Sequence, residues 1–249
     1  MPIEQILITV RTYPTLSEKY QETVCTGGIN RDGQWRRLYP VQWRLLDKEK
    51  QYRQYDLIEA SIGETTSDGR PESRRIDAST IKLADRVNDW KTRIDWVRPT
   101  VCESLDQMKA LGRTLAPVRV QVVKEFRAIP DTAEWSPKQQ ELLRQDGLFE
   151  GPEPLEKIPF DFRLVWIDGE GQEHNSKFID WEVCQTWRAY RNRYENPIDV
   201  MRQKWMSTHF AADRAIYFYM GNFAQHPKAY GVCGVFFPPK VDFDEQSLW

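Results

Sequence analysis

Histidine and cysteine are scarce in this chain. Only three histidines (His174, His209 and His226) and four cysteines occur in 249 residues. The cysteines stand at 25, 102, 184 and 233, with no CxxC and no pair at local zinc spacing. That excludes zinc-finger and thioredoxin-type motifs, and reduced cytosolic thiols are expected. A Ser–His or Cys–His pair would have to be assembled from distant segments. No apolar run approaches the ~20 residues of a membrane helix, and the longest candidate, AIYFYM, has the length of a strand. The opening residues MPIEQILITVR carry an acid at Glu4 and no basic stretch before their apolar run, so a secretory signal is not expected. The expected location is cytoplasmic, with no membrane partner. Net charge is only −2, so no global field draws in a polyanion. No Glu is followed two residues later by Lys, which removes the Glu-x-Lys element of a common nuclease fold. CTGGINRDG lacks phosphate-loop or dinucleotide spacing, so Gly27 and Gly28 read as a bulge or a close approach. Repeats and low-complexity segments are absent.

What is present is a globular composition, with 40% apolar and 29% charged residues and ten tryptophans. Most of those rings are expected in the core. Among the basic residues, 22 are Arg and 13 are Lys. Arginine stacks on rings and grips phosphate or carboxylate with a planar fork, whereas lysine is a hydrated point charge. Charge is also uneven. Residues 31–53 hold seven basic and three acidic side chains, and residues 131–170 hold four basic and ten acidic ones. The acidic middle could pair with the basic strands within one molecule.

Local patterns predict an α+β chain. EQILITVRTY, QETVCTGGI and GQWRRLYPV read as strands, with NRDG as a hairpin turn between the last two. YDLIEASIG is a fourth strand. ETTSDGRPESRRIDAS reads as a long exposed loop. ADRVNDWKTRIDWV has a helical apolar stripe, and SLDQMKALG is a short helix with Ser104 and Gln107 as a capping box. PVRVQVVKEFRAI is a strand, and SPKQQELLRQDG a helix capped by Ser136. A second hairpin turns at Asp168-Gly169, a helix covers roughly 180–195, and Pro197 opens another. AIYFYMGN and GVCGVFFPP are the last strands. The architecture expected is a mixed or mainly antiparallel twisted sheet or small barrel with peripheral helices. It divides into a β-rich barrel-like unit over 1–130 and an α+β unit over 131–249, with fusion of the two into one compact unit as the alternative.

Three stretches carry candidate contacts. DGQWRRLYPVQWRLL interleaves arginines with rings, and Trp35, Arg36, Arg37, Tyr39 and Arg44 form the primary candidate surface, since single-stranded nucleic-acid sites combine rings for bases with Arg for backbone. The plain alternative is core rings covered by arginine stems. Arg70, Arg74 and Arg75 on the polar loop could clamp a polyanion. Arg188 and Arg191 lie opposite the apolar stripe of their helix and could contact phosphates. A metal site would draw on Asp161, Asp168, Glu170, Glu173, Asp180, Glu182 and His174, but their spacing matches no ligand pattern, and no metal or cofactor is assigned. Arg202 and His209 are separated by six residues, a spacing found in certain helical ribonucleases, and the strand-rich context makes chance the better account.

RTYPTLSEKYQETVCTGGI, WRRLYPVQWRLL, DGRPES, DWE and GNFAQHPKAYGVCGVFFPP together resemble a set of uncharacterised bacterial proteins. The likeness spans most of the chain, implies a whole small protein and carries no catalytic residues. A short β-rich domain with Arg and aromatics on its strands is also similar to PUA-like and EVE-like barrels, which bind RNA or modified bases. The reading these features support is a non-catalytic, nucleic-acid-binding accessory protein of a bacterial DNA- or RNA-directed system. Alternatives are a metal-dependent nuclease or hydrolase, and a scaffold whose aromatic surface docks a protein partner.

Overall fold

A computed structural model describes residues 1–64, 68–145 and 154–245. In chain order, β1 (Ile3–Arg11) is followed by a small two-stranded sheet, β2 (Thr15–Ser17) with β3 (Gln21–Thr23), and then by β4 (Thr26–Asn30), β5 (Trp35–Tyr39), β6 (Asp56–Gly63) and β7 (Ser73–Arg86). The helices α1 (Trp90–Val97) and α2 (Leu105–Ala110) lead into β8 (Leu115–Pro130) and α3 (Pro137–Gln145). Next come β9 (Phe160–Asp168), β10 (Glu173–Lys177), α4 (Trp181–Tyr190), α5 (Pro197–Lys204), β11 (Ile216–Phe223), β12 (His226–Phe236) and α6 (Lys240–Glu245).

The fold is α+β with a small barrel. β1, β4, β5, β7 and β6 close into a barrel in that order, and β10-β9-β8-β11-β12 form a second sheet of five strands. Neighbours pair antiparallel in both, apart from the parallel pair β5–β7. Leu115–Pro130, assigned on sequence grounds to the first unit, is the central strand of the second sheet. Polar ETTSDGRPESRRIDAS does not form one long loop: from Ser73 onward it is β7, hydrogen-bonded on both sides, while residues 65–67 lie outside the described residues.

β1 explains how the two sheets join. Ile6 and Ile8 point into the barrel core with Leu38, Ile58, Ile62 and Ile76. Leu7 and Val10 belong to a second cluster with Trp35, Leu115, Tyr219 and Phe236. A strand places alternate side chains on opposite faces, so β1 is buried on both, and its near-continuous apolar run follows. Gly28 permits the pairing with β4, because a Cβ there would stand 2.4 Å from the Leu7 carbonyl oxygen. The register shifts opposite it, between Ile8 and Val10, marking the expected bulge. A third cluster, under α4 and α5, is built from Phe126, Trp166, Phe178 and Trp205.

The local signals hold where their bonds are local. Gly33 takes a φ of 72° in the NRDG turn, and the Asn30 side chain accepts from the amides of Asp32 and Gln34 at 3.1 and 2.9 Å. Ser104 Oγ accepts from Gln107 N at 2.9 Å. Ser136 forms a full capping box with Gln139, at 3.4 Å forward and 3.1 Å back. Among the described residues, no helix is long and apolar enough to cross a membrane.

Candidate functional site

A cleft of about 720 Å³ opens at the seam between barrel and second sheet. Its floor is Arg11, the last residue of β1. The guanidinium carbon lies 4.4 Å from the Trp43 ring centre and 4.5 Å from that of Trp181. Arg11 Nη1 donates to the Tyr52 carbonyl at 3.1 Å and Nη2 to Glu182 Oε1 at 3.2 Å. Trp43 Nε1 donates to the same carbonyl at 2.9 Å. One side chain thereby ties the end of a barrel strand, a short turn after β5 and the start of α4 together. Burial lowers the affinity of Arg11 for its proton, and Glu182, Tyr52 and Asp180 oppose that.

Beneath this sandwich, Asp180 caps α4 by accepting from Glu182 N at 2.6 Å. Burial pushes its carboxyl up to about 7, with Glu182 adding to the rise and the Glu182 amide and Arg11 opposing it.

The opposite wall comes from Tyr55 just before β6, from the end of β7 and from α1. Arg93 lies over Tyr55 at 4.1 Å and Trp90 at 5.0 Å, held by a bond from Nε to the Val87 carbonyl at 3.0 Å. Trp90 and Arg93 fall three residues apart, so α1 puts them on one face. Arg86 pairs with Asp56 at 2.8 Å and stays 41% exposed. Lys48 and Arg53 are exposed at the rim, with no ion pair among the described residues. Among the described residues, five cations (Arg11, Lys48, Arg53, Arg86, Arg93) thus line the cleft against one carboxylate, Glu182, which is already committed to Arg11. Its rings are Trp43, Tyr55, Trp90, Trp181 and Phe237. Arginine on an aromatic face keeps its outer N–H edge available to an anion, and stacking holds the fork in place.

The residues selected from sequence lie largely elsewhere. Trp35 is buried in the seam against Tyr219, with ring centres 5.7 Å apart. Arg36 is buried and bonded to Glu4 at 2.8 and 3.4 Å and to Gln34 at 2.7 Å. Arg37, 2% exposed, donates to the Thr114 carbonyl at 2.8 Å and to Cys25 Sγ at 3.4 Å. Of Trp35, Arg36, Arg37 and Tyr39 only Tyr39 is exposed, edge-on to Tyr20. Arg70 is chelated by Asp68 and reaches the Asn222 carbonyl at 3.1 Å. Arg74 donates to the carbonyls of Pro71 and Ser73, and Arg75 pairs in register with Tyr39. Arg188 and Arg191 both pair with Glu156. The structure does bring Arg44 and Arg188 together, in a hollow of about 310 Å³ that shares Trp43 and Trp181 with the cleft. Arg44 is paired there with Glu22 at 3.0 Å.

The acids considered for a metal are dispersed. Asp161 pairs with Arg163, Glu173 with Lys124 and Glu182 with Arg11. Asp180 is the α4 cap, and Asp168 is buried in the β9–β10 turn with His174. Among the described residues no three His, Cys, Asp or Glu side chains are grouped to hold an ion.

Sequence reasoning passed over Arg11, Arg86, Arg93, Trp90 and Trp181. The Trp90–Arg93 spacing and the basic stretch 31–53, which contains Lys48 and Arg53, were the available signals.

Two families match the chain in tandem. Domain of unknown function (DUF8758) covers residues 2–99, the span of the barrel and α1. Domain of unknown function (DUF8757) covers residues 97–249, the span of the second sheet and its helices. A comparison with curated proteins gives no match.

Proposed function

We propose that this chain, which belongs to the family described as Domain of unknown function (DUF8757), is a nucleic-acid-binding accessory protein that takes an anionic strand into the cleft at its seam. The observation that carries this reading is the cleft's composition: five cations against one committed carboxylate, set among five aromatic rings. Phosphates supply the charge such cations need, and bases supply faces for rings. The contact surface moves from β5, where Arg36 and Arg37 are buried and bonded to protein partners, to Lys48, Arg53, Arg86 and Arg93 at the rim. The five-stranded barrel is compatible with the PUA-like and EVE-like comparison and adds fold-level support only.

The test is fluorescence anisotropy of labelled single- and double-stranded DNA and RNA, at low and moderate salt. The intact protein is expected to bind at least one of the four, with affinity falling steeply as salt rises. Lys48→Ala with Arg53→Ala removes two exposed cations and no internal bond of the described structure. Affinity should drop about tenfold, and the salt slope should fall by about 2. An unchanged slope in the folded double variant, or no binding of the intact protein to any of the four, overturns the proposal.

A further inference from the structure

Asp168 closes the β9–β10 hairpin and is fully buried. Its Oδ1 accepts from the amides of Glu170 and Gln172 at 3.1 and 3.0 Å. Its Oδ2 accepts from Leu105 N at 3.4 Å and stands 2.8 Å from His174 Nε2. Burial alone would raise this carboxyl, but the bonds from His174, Gln172 and Leu105 outweigh it and hold the group below its usual value. An ionised carboxylate only accepts, so Nε2 carries a proton and Nδ1 is the ring nitrogen left for another partner. The ring is fixed on its other side by Trp166, with centres 4.6 Å apart. A carboxylate-oriented, ring-packed imidazole is the arrangement that presents one nitrogen in a set direction.

His174 forms one wall of a pocket of about 490 Å³ between β10 and the start of β12. Among the described residues, none that lines it also lines the cleft. Three permanent cations stand around it. Arg163 is braced by Asn175 and Asp161, Lys177 lies 3.6 Å from Asp161, and Lys228 is exposed with no ion pair among the described residues. His226 adds a second imidazole, and Leu105, Phe223 and Tyr230 add apolar surface. Of the nearby carboxylates, Asp168 is turned to the backbone, Asp106 is held by Lys109 at 2.8 Å and Asp161 is shared by two cations.

We propose that this pocket is an anion site for a phosphate monoester, with His174 Nδ1 as the contact that bears or accepts the proton and Lys228 as the free cation. The volume suits a phosphate on a small ring, within the range of about 300–1,000 Å³ common for ligand pockets. The apolar wall favours an ester over bare phosphate. The ester could be a free phosphorylated small molecule or the terminal phosphate of a strand, which share this chemistry.

The experiment follows the imidazole resonances of His174 by NMR while inorganic phosphate, phenyl phosphate, and a dinucleotide with and without a 5′-phosphate are added to the full chain. Phenyl phosphate is expected to shift them and to saturate at lower concentration than inorganic phosphate. Lys228→Ala, at an exposed position, should weaken it about fivefold, as expected for loss of one partly screened charge contact. His174→Gln, followed through the His226 resonances, should also weaken phenyl phosphate, by about fivefold, through loss of the Nδ1 contact. If that variant fails to fold, Lys228→Ala still decides the matter. A response to the phosphorylated dinucleotide but not to its 5′-hydroxyl form supports the site and assigns the strand end as its source. A response to phenyl phosphate alone supports it with a small molecule. Unmoved resonances at about 10 mM phenyl phosphate, where a millimolar site would be mostly filled, or equal affinity in Lys228→Ala, overturn it.

Discussion

Arg36 and Arg37 on β5 sit among rings, and so do Arg86 and Arg93 at the cleft, but the two sets are used differently. On β5 the strand runs through the middle of the barrel wall and each guanidinium meets protein acceptors: Glu4 and Gln34 for one, the Thr114 carbonyl for the other. Around the cleft the arginines stand at element ends, at the last residue of β7 and within the short helix α1, where protein covers only part of the fork. The lesson is that an arginine beside a tryptophan in sequence says little about ligand contact. What decides is whether the chain around it supplies enough acceptors to satisfy a buried charge, because an unpaired one is costly.

The strongest way to probe the contrast is at the floor of the cleft, where Asp180 is buried beneath Arg11. Its folded-state value of about 7 lies above the ordinary 3.8. A raised carboxyl contributes stability below its unfolded value and loses it as pH rises through the folded one. The native chain should therefore lose stability relative to Asp180→Asn between pH ~5 and pH ~8. The difference should reach about 3 kcal/mol in urea unfolding. His209, whose burial lowers it to about 4, is common to both proteins and cancels. A pH-independent difference would show that the carboxylate is ionised throughout, and that the floor is a settled ion pair like Arg36–Glu4 on β5.

How much of this was legible in the sequence follows from the reach of the bonds involved. The Asn30 and Ser136 turns and the Asp168 hairpin are written in residues two to four apart, and each was read correctly. Residues 73–79 of β7 read as part of a polar loop and residues 84–86 as the start of a helix, because the buried apolar residues of the strand are only Ile76 and Ile81. Their five-residue spacing straddles an irregularity opposite β6, which breaks the period of two. The cleft was less legible still. Arg11, Trp43 and Trp181 meet across most of the chain, and no local pattern marks a residue as the end of one strand facing the start of a distant helix. The arginine surplus was visible, but which arginines remain open was not.

A second test takes the buried set. Arg37→Met keeps the stem and removes the guanidinium, with its charged bond to the Thr114 carbonyl and its proximity to Glu72. The expected cost is about 2 kcal/mol, the range for a buried hydrogen bond made by a charged group, seen as a lower Tm. Nucleic-acid affinity of the folded variant should match that of the intact chain. Loss of binding without loss of stability would reverse the comparison and return β5 to the interface.

The smallest effect is expected from Arg74→Ala with Arg75→Ala. These side chains lie at the start of β7, across from Leu38 and Tyr39. Arg75 lines a separate hollow with Pro40 and Leu45, and no cleft residue is shared with it. Arg74 is 3.6 Å from Glu64, which is itself 84% exposed, so the pair is screened by solvent and contributes little. The β7 backbone bonds to β5 and β6 do not depend on either side chain. Arg74 also gives up its bonds to the Pro71 and Ser73 carbonyls, so the change in stability should stay within about 1 kcal/mol. Both the affinity and the salt slope measured by anisotropy should remain those of the intact protein. If the slope instead falls as far as it does in Lys48→Ala with Arg53→Ala, the bound strand runs across the barrel to β7, and the cleft is one end of a longer track.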